Sequence, residues 1–224
     1  MSYNFSFSYI EASLPALLGG LVMTIQISAL SIIGAVLVGI VGASIRIIEV
    51  PVLSQLIRAY VHLIRTTPIL AQLFFIFYGL PSIGLGLSLY WSAVLCLVLW
   101  GGAYNIENIR GGFISISRGL QDAAKALGLK PVHYLIAVAL PLGMRISIPA
   151  VLNTSISVLK NSSYMQVIGL AELTYVATER SAMDFRTLEN FAVICVFYLA
   201  LIWGLSYVVR RIEAILHKPF ANVR

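Results

Sequence analysis

Apolar residues run along this chain with few of the polar interruptions that a soluble helix needs. Residues 12–45 contain no Asp, Glu, Lys or Arg, and neither do residues 66–106. A helix needs roughly 20 mostly apolar residues to cross a bilayer. The first run therefore predicts one span at 17–45. The second contributes to two more, at 53–80 and 90–114. Apolar stretches at 141–170 and 190–209 complete a set of five. Soluble helices keep a polar face, which sets aside a greasy soluble bundle. The expectation is an all-α integral membrane protein, one transmembrane domain over residues 1–224.

The breaks follow from local chemistry. Tyr3, Phe5, Phe7 and Tyr9 suit the headgroup level. Pro51 separates the first two spans. Pro68, after Thr66 and Thr67, predicts a kink in the second. Leu80-Pro81 and Gly84-Leu85-Gly86 predict a loop, and so does the polar stretch 171–189. The first ten residues lack Lys and Arg, so the positive region of a cleaved signal is missing. Cys96 and Cys195 lie in apolar segments without metal-ligand spacing and are expected to be small core residues. His62 and His133 are expected at the surface.

Composition agrees: 59% of residues are hydrophobic and 11% charged, against about 25% charged in soluble domains. The net charge of +6 is unevenly placed. Across five spans, Arg46, Arg58, Arg65, Arg118, Lys125, Lys130, Arg210, Arg211 and Lys218 fall on one side. The other side has Arg180 and Arg186 among Glu172, Glu179, Asp184 and Glu189. Basic residues are retained in the cytoplasm, so the N-terminus is expected outside and the C-terminus, with Arg224, inside. Nucleic-acid binding would need a clustered basic face with stacking aromatics, and none is expected.

The segment 115–141 carries the most information. Its alanines and Leu127 favour a short helix over 120–127. Asp122 is expected in the first turn, where the helix dipole favours an anion. Gly128 is placed to end the helix in a left-handed conformation, and Pro131 prevents continuation. Such a helix can enter a groove on another protein, or can simply connect two spans.

The pattern Asp122-Ala123-Ala124, three residues, Gly128, nine residues, Val138-Ala139-Leu140-Pro141 resembles the signature loop of ABC importer permeases. That family usually has Glu at the position of Asp122 and Ile at that of Val138. Leu18-Gly-Gly-Leu-Val-Met-Thr24, Arg65-Thr-Thr-Pro68, Gly102-Ala-Tyr-Asn-Ile-Glu107, Arg110-Gly-Gly112, Leu159-Lys160 and Val167-Ile-Gly-Leu-Ala-Glu172-Leu173 are similar to segments of the polar amino acid permeases (histidine, glutamine, arginine and opine importers). The resemblance implies a type I ABC importer permease with five transmembrane helices in the bacterial inner membrane. It implies that Asp122, Ala123, Ala124, Gly128, Leu140 and Pro141 belong to a loop that docks into a cleft on an ABC ATPase. The implied partners are an ATPase dimer, a second five-span permease, identical or homologous, and an extracytoplasmic amino-acid-binding protein.

Ionisable groups inside spans are costly, and each is a functional candidate. Glu107 and Arg110, three apart, share a helix face. They form an ion pair, or Glu107 faces the path and meets a substrate amino group. Lys160, Asn161, Ser162 and Ser163 are polar at a depth where polar groups must find partners. They pack helices together, or Asn161 and Ser162 hydrogen-bond the substrate. Many relatives of the resembled family are acidic where Asn161 stands, which points to a polar or neutral cargo or to a site in the partner permease. Thr66, with Thr67 and Pro68, kinks the span or lines the path.

The chain lacks Gly-x-x-x-x-Gly-Lys-Ser/Thr. It is not expected to be an enzyme or to hold a cofactor or metal. ATP and Mg are expected on the partner ATPase. A secondary transporter driven by an ion gradient and a non-transporting membrane scaffold stay open as alternatives.

Overall fold

The structure is a computed structural model that describes residues 4–217. Tyr3, Lys218 and Arg224 of the charge and aromatic reading lie outside them. Among the described residues every regular element is helical: α1 Phe7–Ile48, α2 Leu53–Thr66, α3 Ile69–Phe74, α4 Leu89–Ile114, α5 Arg118–Ala126, α6 Pro131–Tyr134, α7 Leu140–Asn161, α8 Leu173–Asp184 and α9 Thr187–His217.

Four helical stretches are long and apolar enough to cross a membrane: Phe7–Ile48, Leu89–Ile114, Pro131–Ile168 and Thr187–Ala214. A fifth exists if Leu53–Thr66 and Ile69–Ile83, bent by 111° at their break, count as one span. The kink expected at Pro68 is therefore a sharp turn. Thr67 is extended there, as a residue before proline prefers. α1 has 42 residues, about 63 Å at 1.5 Å per residue. That exceeds a hydrocarbon core of about 30 Å and takes the helix back through the stretch expected to lie at the interface.

Two Leu-Pro pairs shape the chain in the same way. Leu80 N–H bonds to the Phe75 carbonyl, closing a π-helical turn at Phe75–Gly79. Leu140 N–H bonds to the Leu135 carbonyl across Leu135–Ala139. Pro81 and Pro141 follow directly; each lacks an N–H and crowds the carbonyl four residues back. A widened turn relieves that crowding. The first pair leads into a 3₁₀ turn at Leu80–Ile83, where a loop was expected. The second starts the fourth span's helix ahead of Pro141.

The described chain falls into two compact units. One combines residues up to Ile32 with Ile69–Leu97 and Ile156–Leu205. Its core is Leu17, Leu173, Ala177 and Ile194. Leu173, Ala177 and the buried Ser181 repeat every four residues along α8. α8 occupies much of the stretch 171–189, which was expected to be loop. Glu172 caps it, with carboxylate oxygens accepting from the Thr174 and Tyr175 amides at 2.9 and 2.7 Å.

The other unit combines Ile33–Pro68, Val98–Ser155 and residues from Ser206 onward. Its core is Ala43, Ile109, Phe113, Ile116, Leu135 and Ala139. α4 meets α7 where Gly112 faces the Gly143 carbonyl and Gly143 faces the Phe113 ring. Asn108 reinforces this contact, donating to Thr154 Oγ1 at 2.8 Å and to the Ala150 carbonyl at 3.2 Å. Small residues and interhelical hydrogen bonds are what hold helices together where lipid is as apolar as Leu. Cys96 is buried as expected, but Cys195 is exposed; it sits on α9, most of whose apolar length is exposed.

Candidate functional site

The segment 115–141 divides into a projecting part and an anchored part. α5 starts at Arg118, two residues earlier than the composition predicts, so Asp122 lies beyond its first turn. Its end is as expected. Gly128 has φ of +70°, a conformation costly for any residue with a Cβ. Leu129 N–H bonds to the Ala124 carbonyl at 3.0 Å, and Gly128 N–H to the Lys125 carbonyl at 2.9 Å. This double bond pattern is a Schellman cap. Ala124 is buried, while Asp122 and Ala123 are exposed. Leu120 is 46% and Leu127 79% exposed. Leu120, Ala123 and Leu127 share one helix face by spacing. Downstream, Leu135 and Ala139 are core residues and Leu140 packs against them. The exposed helix is thus tied, through a π-turn, to the packed interior of the same unit.

Ionisable residues of α1, α2 and α4 meet in a cleft in that unit. Arg46, Arg58, Val61, His62, Arg65, Thr66, Tyr104 and Glu107 line about 380 Å³. A second cleft of about 520 Å³ includes Arg46, Glu49, Ser54, Gln55, Arg58 and Arg110. α2 is held beside α4 by the Tyr60 hydroxyl, which donates to the Leu99 carbonyl at 2.6 Å; Val61 and Ile64 are the buried residues of α2.

Glu107 is fully engaged here. One carboxylate oxygen accepts from Arg46. The other accepts from Arg110 Nε and Nη2 at 2.9 and 2.6 Å. The sequence suggested Arg110 as a partner. It contained no signal for Arg46, sixty-one positions away, because nothing periodic joins them. Thr66 lies in the same cleft, its hydroxyl donating to the His62 carbonyl at 2.7 Å.

Lys160, Asn161 and Ser162 belong to the other unit. α7 ends at Asn161 and tightens into a 3₁₀ turn over Ser162–Ile168. The Ser162 hydroxyl is buried and donates to the Leu159 carbonyl at 2.7 Å. Ser163 donates to the Lys160 carbonyl at 2.8 Å. Both hydroxyls satisfy carbonyls that a helix end leaves without partners. Asn161 is half-buried and Lys160 exposed.

Two carboxylates in this unit, Glu172 and Glu189, are fully buried, though neither was among the candidate site residues of the sequence. Glu189 accepts from Ser6 N–H and from Arg186, both at 3.1 Å. Glu172 accepts, besides its cap bonds, from the Tyr198 hydroxyl at 3.1 Å. Burial pushes the Glu172 carboxyl above the ordinary carboxylate range, and its hydrogen bonds offset this only in part. A carboxyl raised in the folded state stabilises the fold below its unfolded pKa, and the contribution is lost as pH rises through the raised value. The contribution of Glu172 to thermal stability is therefore expected to fall from the acid side towards neutrality, so the slope of melting temperature against pH should be more negative in the wild type than in Glu172→Gln. A series of melting temperatures against pH checks this; an unchanged slope in the variant removes Glu172 as its source.

Comparison with known proteins places this geometry in context. Residues 35–220 match the family described as binding-protein-dependent transport system inner membrane component. A probable amino-acid ABC transporter permease of Vibrio harveyi is 31% identical over 98% of this chain and 100% of its own length. The glutamine transport system permease of Escherichia coli K12 is 35% identical over 94% of this chain and 97% of its own. Among solved structures, an amino acid ABC transporter crystallised with histidines aligns at a TM-score of 0.85 and 27% identity, covering 95% of this chain and 99% of that one. The inward-facing MetNI methionine transporter, at 18% identity and a TM-score of 0.79 over 92% of this chain and 98% of that one, shares the fold.

Proposed function

The chain belongs to the family of binding-protein-dependent inner-membrane transport components, and from that premise we propose that it forms half of the path of an ATP-driven importer for a polar amino acid or a derivative of one. It is an amino-acid ABC transporter permease of the inner membrane, with several membrane-spanning helices. The proposal adds five spans, the bent pair counted as one, with the N-terminus outside. It adds an extracytoplasmic binding protein that delivers the cargo and sets most of the specificity. A second five-span permease completes the path, and two ATPase subunits carry ATP and Mg on the cytoplasmic side.

The observation that supports the docking role is the form of residues 118–140. Leu120, Ala123 and Leu127 offer an exposed apolar face on a helix with a rigid cap, while Leu135, Ala139 and Leu140 root it in the core. A helix seated in an ATPase groove would pass the closing motion on ATP binding straight to that core and to α4. Two packings of the bundle would then alternate access, as in other bistable helical assemblies. Thr66 and Glu107 in the cleft, and Lys160, Asn161 and Ser162 at the end of α7, remain the path candidates of this reading.

Gly128→Leu tests it. Nothing stands within 4 Å of an added Cβ, so the substitution acts on the φ of +70°, at about 1–2 kcal/mol. Fraying of the α5 end is expected to cut ATPase co-purification and uptake severalfold while the permease still reaches the membrane. Undiminished docking and uptake would dismiss the role.

A further inference from the structure

The two clefts hold more positive charge than the chain itself balances. Arg46, Arg58, Arg65 and Arg110 line them, against Glu49 and Glu107. Glu107 is already shared by Arg46 and Arg110. Among the described residues, no carboxylate forms an ion pair with Arg58 or Arg65. The Arg65 guanidinium is instead held over the Tyr104 ring, 5.0 Å from its centre, a contact that orients the cation without neutralising it.

The shape of α2 indicates what supplies the missing charge. Arg58, His62 and Arg65 fall at i, i+4 and i+7, one basic face. Val61 and Ile64 are buried. On a third face Leu56 and Leu63 are each 61% exposed. A helix with exposed leucines on one flank and unpaired arginines on another suits the boundary between acyl chains and headgroups. The loop entering it is strained. Glu49 and Val52, either side of Val50-Pro51, have φ of 59° and 65°, and Val52 is β-branched, which makes the conformation uncommon. Both residues line the larger cleft. Strain of this kind persists where the surroundings over-determine it, often at ligand sites.

We propose that these clefts bind the phosphate of an anionic phospholipid, with Arg58 and Arg65 as its principal cations and its acyl chains along Leu56 and Leu63. Basic pockets between membrane helices bind such headgroups. The site requires only that the chain lie in a membrane, and it shares its cleft with the path candidates Thr66 and Glu107.

The test uses the complete transporter, purified into nanodiscs of mixed phosphatidylglycerol and phosphatidylcholine. Native mass spectrometry then reads the lipids retained. Wild type is expected to keep phosphatidylglycerol above its share in the disc. Arg58→Gln and Arg65→Gln are each expected to lower the enrichment about fivefold, whereas Arg58→Lys and Arg180→Gln preserve it. Retention at the bulk ratio in wild type would overturn the proposal. So would equal loss in Arg180→Gln, or displacement of the lipid by millimolar inorganic phosphate, which would assign the clefts to a free anion. Melting temperatures of all variants separate loss of lipid from loss of fold.

Discussion

Gly112→Ala and Gly143→Ala are each expected to destabilise the permease by about 3 kcal/mol, near the upper end for inserting a methyl into a packed interior. The obstacle decides the size. A Cβ on Gly112 meets the Gly143 carbonyl group and Ser147 Oγ, and one on Gly143 meets the Phe113 ring. The carbonyl belongs to a helix backbone. Phe113 is 1% exposed and part of the core, so neither can step aside cheaply. Gly111, one position away, has nothing within 4 Å of an added Cβ. Gly111→Ala should therefore be neutral, or stabilising by up to about 1 kcal/mol through helix propensity. Thermal unfolding of the purified complex ranks the three variants. If Gly111→Ala and Gly112→Ala behave alike, the contact between α4 and α7 does not govern stability. Uptake should fall along with stability, because Phe113 packs in the cluster that roots the 118–140 segment.

The second large effect is expected at Glu107. Its side chain is 19% exposed, Arg46 is 13% and Arg110 is 32%. Removing one partner from a buried ion pair costs about 3–5 kcal/mol because a charge is left uncompensated. Partial exposure reduces this, and about 2 kcal/mol is expected for Glu107→Gln. Two guanidinium groups would then face each other without an acid. Adding Arg46→Gln should recover roughly half of the loss, a coupling that a double-mutant cycle measures directly. Uptake measured on the same variants separates the two readings of this residue. A structural carboxylate loses stability and transport together, and Arg46→Gln restores both in part. Should Glu107→Gln abolish uptake with the melting temperature unmoved, the carboxylate acts on the substrate instead.

The candidate site was legible where its chemistry is local. The left-handed turn at Gly128 could be read from residue type, since glycine adopts that conformation at little cost. The start of α5 could not: Ser117 makes no side-chain cap bond there, so no residue marks the boundary. α8 went unread because its composition is polar, although Leu173, Ala177 and Ser181 at a spacing of four carried a weak helical signal. The π-turns before Pro81 and Pro141 follow from proline chemistry, but their form depends on a hydrogen bond that reaches back five residues.

By itself, the sequence determined which segments are apolar enough to leave water and what kind of machine the chain serves. Transfer from water depends on composition over about twenty residues, and the 122–141 pattern is contiguous. Only the tertiary structure decided which side of each apolar helix packs against the rest of the chain and which stays exposed. Cys96 and Cys195 lie in equally apolar surroundings in the sequence, yet one is buried and the other exposed. The bilayer and the protein interior are alike in polarity, so hydropathy cannot tell them apart. The pairing of Glu107 with Arg46, and the lack of an ion pair to Arg58 and Arg65 among the described residues, likewise emerge only when α1, α2 and α4 are brought side by side.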